Sequence, residues 1–335
     1  MHIHHPVLIV GQGIAGTLLS FMLYRRNIPF MVIDMPAPNP TSYTSGAVLN
    51  PYSGKTRPGV QRRSVMYDTA IGIYQEMQSF LGIPLVSDGS LVFFDSDREP
   101  QPEQAESFRD FFQHFEIVHV CDPVAMVHNE VLLKAWNAFL KEKGLLMEAV
   151  FEEQLLIPGE DAVAYKGAYW HAVVYCNGVA ARDSSYFSPL RFTRNRGEVL
   201  YLHINGLPEQ VIFNKGKTRL IPKGNGLYWC GSNYNWDFED MIPDEHWKAE
   251  TIALLQSWMK LPFEVLEHTC AERPTTVGQI PFIGWHPLYK RIGICNGLGT
   301  KGFSAGPLWI TDFVANMMRE EGRTQYQSVL DKFLS

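Results

Sequence analysis

Four apolar residues in a row, Val7 to Val10, have the pattern of a short strand buried on both faces, and the apolar positions from Thr17 to Tyr24 then take helical spacing. Arg25 and Arg26 suit the C-terminal end of that helix, where backbone carbonyls favour cations, and Asn27 suits its termination. A second apolar run, Pro29 to Asp34, predicts another strand, this one ending on a carboxylate. Prolines mark residues 35–41 as loop. The pattern then predicts a helix over 64–81, a strand over 91–94, and a polar loop over 100–114 leading into a helix. Leu132, Leu133, Trp136, Phe139 and Leu140 sit at helical spacing within 129–144, and 170–176 reads as a buried strand. From Arg191 to Trp229 the spacing changes to alternating patches separated by glycine-rich turns, which predicts antiparallel sheet. Helical periodicity returns over 245–259, a strand is expected at 292–295, and a final helix at about 305–318.

Between the first strand and the first helix stand Gly11, Gln12, Gly13, Ile14, Ala15 and Gly16. In this setting the three glycines have separate tasks. Gly11 allows the tight turn, Gly13 lets a pyrophosphate approach the backbone, and Gly16 lets helix and strand pack closely. The unpaired N–H groups and positive dipole end of the helix then face the diphosphate. Asp34, 18 residues past Gly16, is placed to accept both hydroxyls of an adenosine ribose. Strand, glycines, helix, strand and acid in register predict a dinucleotide site.

Bulk properties narrow the class. At 335 residues the chain is long enough for two domains or one large α/β unit. Its 46% hydrophobic and 19% charged composition is that of an ordinary globular enzyme, and a net charge of −6 argues against nucleic acid or an anionic membrane as principal partner. No stretch approaches the roughly 20 apolar residues of a membrane span. Cys121, Cys176, Cys230, Cys270 and Cys295 are scattered singly, which reads as reduced, mostly buried thiols of a cytoplasmic protein. The histidines of residues 1–5 read as a solvated strand edge, so no metal is expected. Gly54-Lys55-Thr56 and Gly216-Lys217-Thr218 imitate the end of a phosphate-binding P-loop, but Leu49 and Val211 stand where that loop needs its first glycine.

Further elements follow the dinucleotide signature in order: Ser42 to Gly46, with Ser45 beside the glycine; a strand ending in Asn177-Gly178; Arg196-Gly197-Glu198; Ile221-Pro222; Cys230-Gly231; Arg273-Pro-Thr-Thr276 leading to Ile280-Pro-Phe-Ile-Gly284; and the turn Gly297-Leu298-Gly299-Thr300-Lys301-Gly302. In this order they resemble the FAD-dependent D-amino-acid oxidase and glycine oxidase-like (DAO) superfamily, over nearly the whole chain. There are two departures. The Arg-Pro-x-Thr run usually carries Asp where this chain has Gly278, and the glycine-oxidase branch has an Arg near Thr300. The spelling of 297–302 is similar to the oxidase half of the bifunctional tRNA wobble-uridine modification enzymes.

The resemblance implies an α/β fold in which a Rossmann-like FAD-binding domain, residues 1–80, 137–188 and 270–335, is interleaved with a mainly antiparallel substrate domain (α+β), residues 81–136 and 189–269. It implies FAD as cofactor, held by residues 11–16, Asp34, Ser42, Ser45, Gly46, Asn177, Gly178 and residues 297–302. A second glycine-rich loop near the C-terminus supports FAD independently, because a flavin ring needs a close backbone approach that a nicotinamide enzyme does not. The implied activity is oxidation of a C–N bond in a small amine or amino acid, with oxygen or an unidentified electron acceptor. Arg273 matches the arginine that grips the substrate carboxylate; the other reading is a structural arginine paired with an acid between domains. Lys301 is a candidate for stabilising reduced flavin, against a solvated lysine at a helix start. Arg219 and Tyr52 are weaker catalytic candidates. Two alternatives stand beside this reading: a wobble-uridine modification oxidase acting alone, and a non-catalytic flavoprotein subunit suggested by Gly278 and Thr300.

Overall fold

The computed structural model describes residues 5–36, 40–51, 65–95, 105–317 and 324–334. Tyr52, the P-loop imitation at 54–56 and the first four residues, with His2 and His4, lie outside the described residues.

The strand Val7–Val10 is central in a six-stranded sheet whose order is Phe282–Trp285, Ile292–Asn296, Ala172–Tyr175, Val7–Val10, Phe30–Asp34, Leu146–Glu148. All neighbours are parallel except the first pair. The continuous apolar run at its centre follows from burial on both faces. Val7 and Ile9 face the helices Ile14–Arg25, Asn129–Glu142 and Gly306–Met317, while Leu8 and Val10 face a small three-stranded sheet and the helix Gln327–Leu334. The last of these helices was not expected from the sequence.

The second sheet has eight strands in the order Phe263–Glu272, Arg196–Ile204, Leu227–Gly231, Thr218–Gly224, Val211–Lys215, Val86–Phe94, Val118–Val127, Val48–Leu49. It is antiparallel throughout except where Val211–Lys215 runs parallel to Val86–Phe94. Alternation sorts its side chains. Leu200, Phe213, Leu220, Tyr228 and Cys230 pack with Trp258 of the helix Glu245–Trp258, while Val199, Ile212, Ile221 and Trp229 lie on the opposite face.

One expectation is corrected. The helix expected after His114 is replaced by the strand Val118–Val127, and the described residues before it include the short turn Glu106–Phe108; Phe112 and Phe115 pack around Phe94, so this stretch caps the core of the second sheet. The strand Phe263–Glu272 also went unread. The division expected at 136/137 falls inside the helix Asn129–Glu142, whose buried Leu132, Trp136 and Leu140 all join the core around the first helix. All five cysteines are buried, and none of them forms a disulfide. Among the described residues no helix is long and apolar enough to cross a membrane.

Candidate functional site

The glycines at the end of the first strand are needed because of what surrounds them. A Cβ on Gly16 would lie 1.9 Å from the Gly11 carbonyl oxygen, so strand and helix meet there at backbone distance. Gly11, at φ +100, faces the turn after Ala172–Tyr175, where an added Cβ would come 2.7 Å from the Cys176 carbonyl oxygen and 2.9 Å from Asn177 Cα. Its N–H donates to the Ile33 carbonyl at 2.9 Å, and the next N–H, of Gln12, donates to Asp34 Oδ1 at 3.0 Å. The strand-end acid is thereby brought to the glycine turn. Burial raises the Asp34 carboxyl above its ordinary value, and the Gln12 N–H opposes this. The Gln12 side chain points inward to Thr17 and to Asn137 of the helix Asn129–Glu142.

Residues 42–46 cross in front of this turn. Ser42 Oγ accepts the Ile14 N–H at 2.9 Å, which satisfies one of the orphan donors at the start of the first helix. On its other side the segment leans on the inner face of the second sheet: Trp229 Nε1 donates to the Thr44 carbonyl at 2.8 Å, and a Cβ on Gly46 would meet Ile221 Cδ1 at 2.5 Å. Asn177 Oδ1, beside the Gly11 turn, is buried with no hydrogen-bond partner among the described residues, and Asn296 Nδ2 donates to the Gly178 carbonyl at 2.8 Å. The C-terminal glycine turn closes the group. Gly297 and Gly302 are buried, whereas Thr300 and Lys301 are exposed. The two glycine turns therefore meet, and Ser42, Asp34 and Asn177–Gly178 gather about the first of them.

The cations divide differently from the sequence expectation. Arg273 is buried over Gly197, where an added Cβ would collide with its guanidinium. It donates to Asn195 Oδ1 and Ser232 Oγ, each at 2.6 Å, and from both terminal nitrogens to the Asn233 carbonyl at 3.2 Å. The reading as a structural arginine paired with an acid does not match its partners, because no carboxylate lies within ion-pair distance among the described residues; the adjacent Glu272 pairs with Arg182 and Arg194 instead. Arg219 shares the face of Ile221 and Trp229, opposite Gly231 in register. Among the described residues its one hydrogen bond is from Nε to Asn214 Oδ1 at 3.3 Å, and it too has no carboxylate partner there. Burial lowers both guanidinium groups from their ordinary value, and the phenol of Tyr234 opposes this for each.

Three residues of this neighbourhood went unrecognised in the sequence. Trp229 reads there only as one position in an alternating strand, Asn129 only as a helix start, and Lys223 not at all. Lys223 stands two and four positions from Ile221 and Arg219, so strand periodicity puts all three on one face. That period was the available signal.

The arrangement, a parallel sheet with a glycine turn and a strand-end acid beside one face of an antiparallel sheet, defines a nucleotide-dependent enzyme of two interleaved parts. The chain matches the FAD dependent oxidoreductase family model over residues 6–312 and belongs to that family. It is an FAD-dependent oxidoreductase, and its cofactor is FAD. Its fold is similar to that of iminodiacetate oxidase from Chelativorans sp. BNC1, with a TM-score of 0.76 and 16% identity over 96% of this chain and 98% of that one. Glycine oxidase from Bacillus cereus has a TM-score of 0.74 at 12% identity, covering 99% and 98%. L-Proline dehydrogenase from P. horikoshii has a TM-score of 0.73 at 13% identity, covering 97% and 96%.

Proposed function

We propose that this oxidoreductase oxidises the C–N bond of a small amino acid or amine, the imine product hydrolysing after release. The observation that carries the amino-acid form is the pair Arg219 and Arg273. Both are desolvated guanidinium groups near Tyr234, and among the described residues neither has a carboxylate partner. A buried cation without a counter-charge is costly unless a ligand supplies the charge. Arg273 already donates to three neighbours, so it contributes field and holds the wall. Arg219, with a single long hydrogen bond among the described residues, retains there the donors that a carboxylate takes in a bidentate grip. Three structural neighbours are named for substrates that carry both amine and carboxylate, which agrees with this choice.

The residues fit FAD. The Asp34 oxygen not taken by Gln12 is available to ribose hydroxyls, Gly11, Gly13 and the start of the first helix to the diphosphate, and the orphaned Asn177 Oδ1 to a donor of the nucleotide. Ser45, Gly46 and the backbone of residues 297–302 would border the ring. Bound FAD supplies the hydride acceptor. The chain supplies placement: Arg219 fixes the carboxylate and therefore the Cα–H, while Ile221 and Trp229 keep water from the reacting bond. No side chain is assigned as base, since an amine bound unprotonated needs none.

The test is anaerobic titration of the purified yellow protein with a panel of amino acids, neutral amines and hydroxy acids. Bleaching of the visible flavin absorbance by amino acids supports the reading. Bleaching by hydroxy acids alone, or by none of the panel, overturns it.

A further inference from the structure

The carbonyls of residues 42–46 are held by side chains from distant parts of the chain. Asn129 Nδ2 donates to the carbonyls of Ser42 at 3.0 Å and Tyr43 at 2.7 Å. Trp229 takes Thr44. Lys223 Nζ donates to the Gly46 carbonyl at 3.3 Å and to Asn129 Oδ1 at 3.0 Å. By engaging that amide oxygen, the ammonium orients the amide nitrogen toward its two carbonyls. Lys223 thus acts on three of the four bonded carbonyls, one directly and two through Asn129. It has no ion pair among the described residues, so among these its half-buried ammonium rests on the neutral oxygens of Gly46 and Asn129, beside a site for an anionic cofactor.

We propose that Lys223 is a positioning residue for FAD: its ammonium and Asn129 together fix residues 42–46 in the form that receives the cofactor, and the anionic cofactor in return favours the ammonium over the free amine. This rests on the reading that residues 42–46 border the FAD site.

The surrounding charges leave Lys223 as the group that responds to mild alkali. Burial brings its ammonium from 10.5 down to about 8, opposed by Glu130. That carboxylate is itself paired with Lys134. His128, preceding the same helix, is lowered from 6.5 by burial and then by Lys223, so it is neutral near pH 8. The Tyr43 phenol of residues 41–44 is raised above 10.0, chiefly by burial, so it stays protonated there. Arg219, on the Lys223 strand, stays charged. A ligand that favours the charged amine must draw in a proton once the free protein has lost it. FAD affinity should therefore fall by up to about tenfold per pH unit above the Lys223 midpoint.

Apoprotein titrated calorimetrically with FAD at about pH 7 and about pH 9, each in two buffers of different ionisation enthalpy, reads this proton directly. Wild type should take up a proton only at the higher pH, with a correspondingly weaker Kd. Lys223→Arg should bind near wild-type strength at the lower pH, without proton uptake at either. Lys223→Met should bind more weakly at both. Wild type without proton uptake and with a pH-independent Kd overturns the proposal, as does uptake that persists in Lys223→Arg. Should Lys223→Met not fold, wild type and Lys223→Arg decide. Wild-type apoprotein that binds FAD at neither pH would instead remove the site reading beneath the proposal.

Discussion

A methyl group placed on Gly302 would lie 3.0 Å from Cγ2 of Ile14, so the turn before the helix Gly306–Met317 touches the first residue of the first helix. Both residues are buried. This contact joins the two ends of the chain into one site. Gly302→Val should force the turns apart, lower stability by about 1–3 kcal/mol and weaken FAD by at least about tenfold. Thermal melting of the apoprotein and FAD titration check the two effects separately; an unchanged FAD affinity would dissociate the contact from cofactor binding.

Asp34 gives a dependence on the acid side. Because burial raises its carboxyl, the folded apoprotein binds that proton more readily than the unfolded chain. The charged form is thus the burdened one: its cost is present above the folded midpoint and is relieved as pH falls through it. Ribose hydroxyls donate to the carboxylate, so FAD binding should release a proton in that window and weaken as pH drops through it. Asp34→Asn should lose about 1.5–3 kcal/mol of binding at neutral pH, roughly 10- to 100-fold in Kd, and lose the acid-side slope. FAD Kd against pH for both proteins tests this; the same slope in the variant would assign it to another group.

Arg219 and Arg273 should separate in kinetics. Arg219→Leu is expected to raise KM for amino acids by at least about tenfold, the scale of one charge-assisted hydrogen bond, while sparing neutral amines. Arg273→Leu should instead strand Asn195, Ser232 and the Asn233 carbonyl, lowering the melting temperature and affecting both substrate classes alike. Equal losses for amino acids and neutral amines in Arg219→Leu would end its carboxylate assignment.

Trp229→Phe keeps the ring and removes only the donor to the Thr44 carbonyl. Leaving that buried carbonyl unpaired should cost about 1–3 kcal/mol and loosen residues 42–46. Chemical denaturation measures the first effect, and hydrogen exchange at the Ala47 amide, which Ser45 Oγ accepts, reports the second. A stability loss without faster exchange would mean that other contacts hold the segment.

The parts of the fold legible in the sequence were those whose pattern is local. The strands at Val7 and Phe30 are apolar because both their faces are covered, and the glycines between strand and helix answer clashes within a few residues of chain. The strand Phe263–Glu272 was hidden because it is a sheet edge, carrying Glu264, Glu267 and His268 where water or neighbouring charges accept them. The strand Val118–Val127 is interrupted by Asp122-Pro123, and its pairing with Val86–Phe94 is what makes it a strand. The helix Gln327–Leu334 is short, and the contacts of its buried Leu330 with the parallel sheet supply what its length does not.

In the candidate site, residue type alone did not separate two arginines. Arg273 carries the family motif, yet its donors are taken by Asn195, Ser232 and Asn233; Arg219, the weaker candidate, keeps most of its own among the described residues. The sequence by itself determined the glycine turn and the strand-end acid beside it, because the steric need for glycine and the length of one strand–helix–strand unit are properties of a short stretch of chain. Only the tertiary structure decided which cations lack a counter-charge and which side chains hold residues 42–46. Those outcomes depend on sheet register and on Lys223, Trp229 and Asn129 arriving from separate strands and a helix, and hydrogen-bond saturation at such a meeting point is not encoded in any one segment.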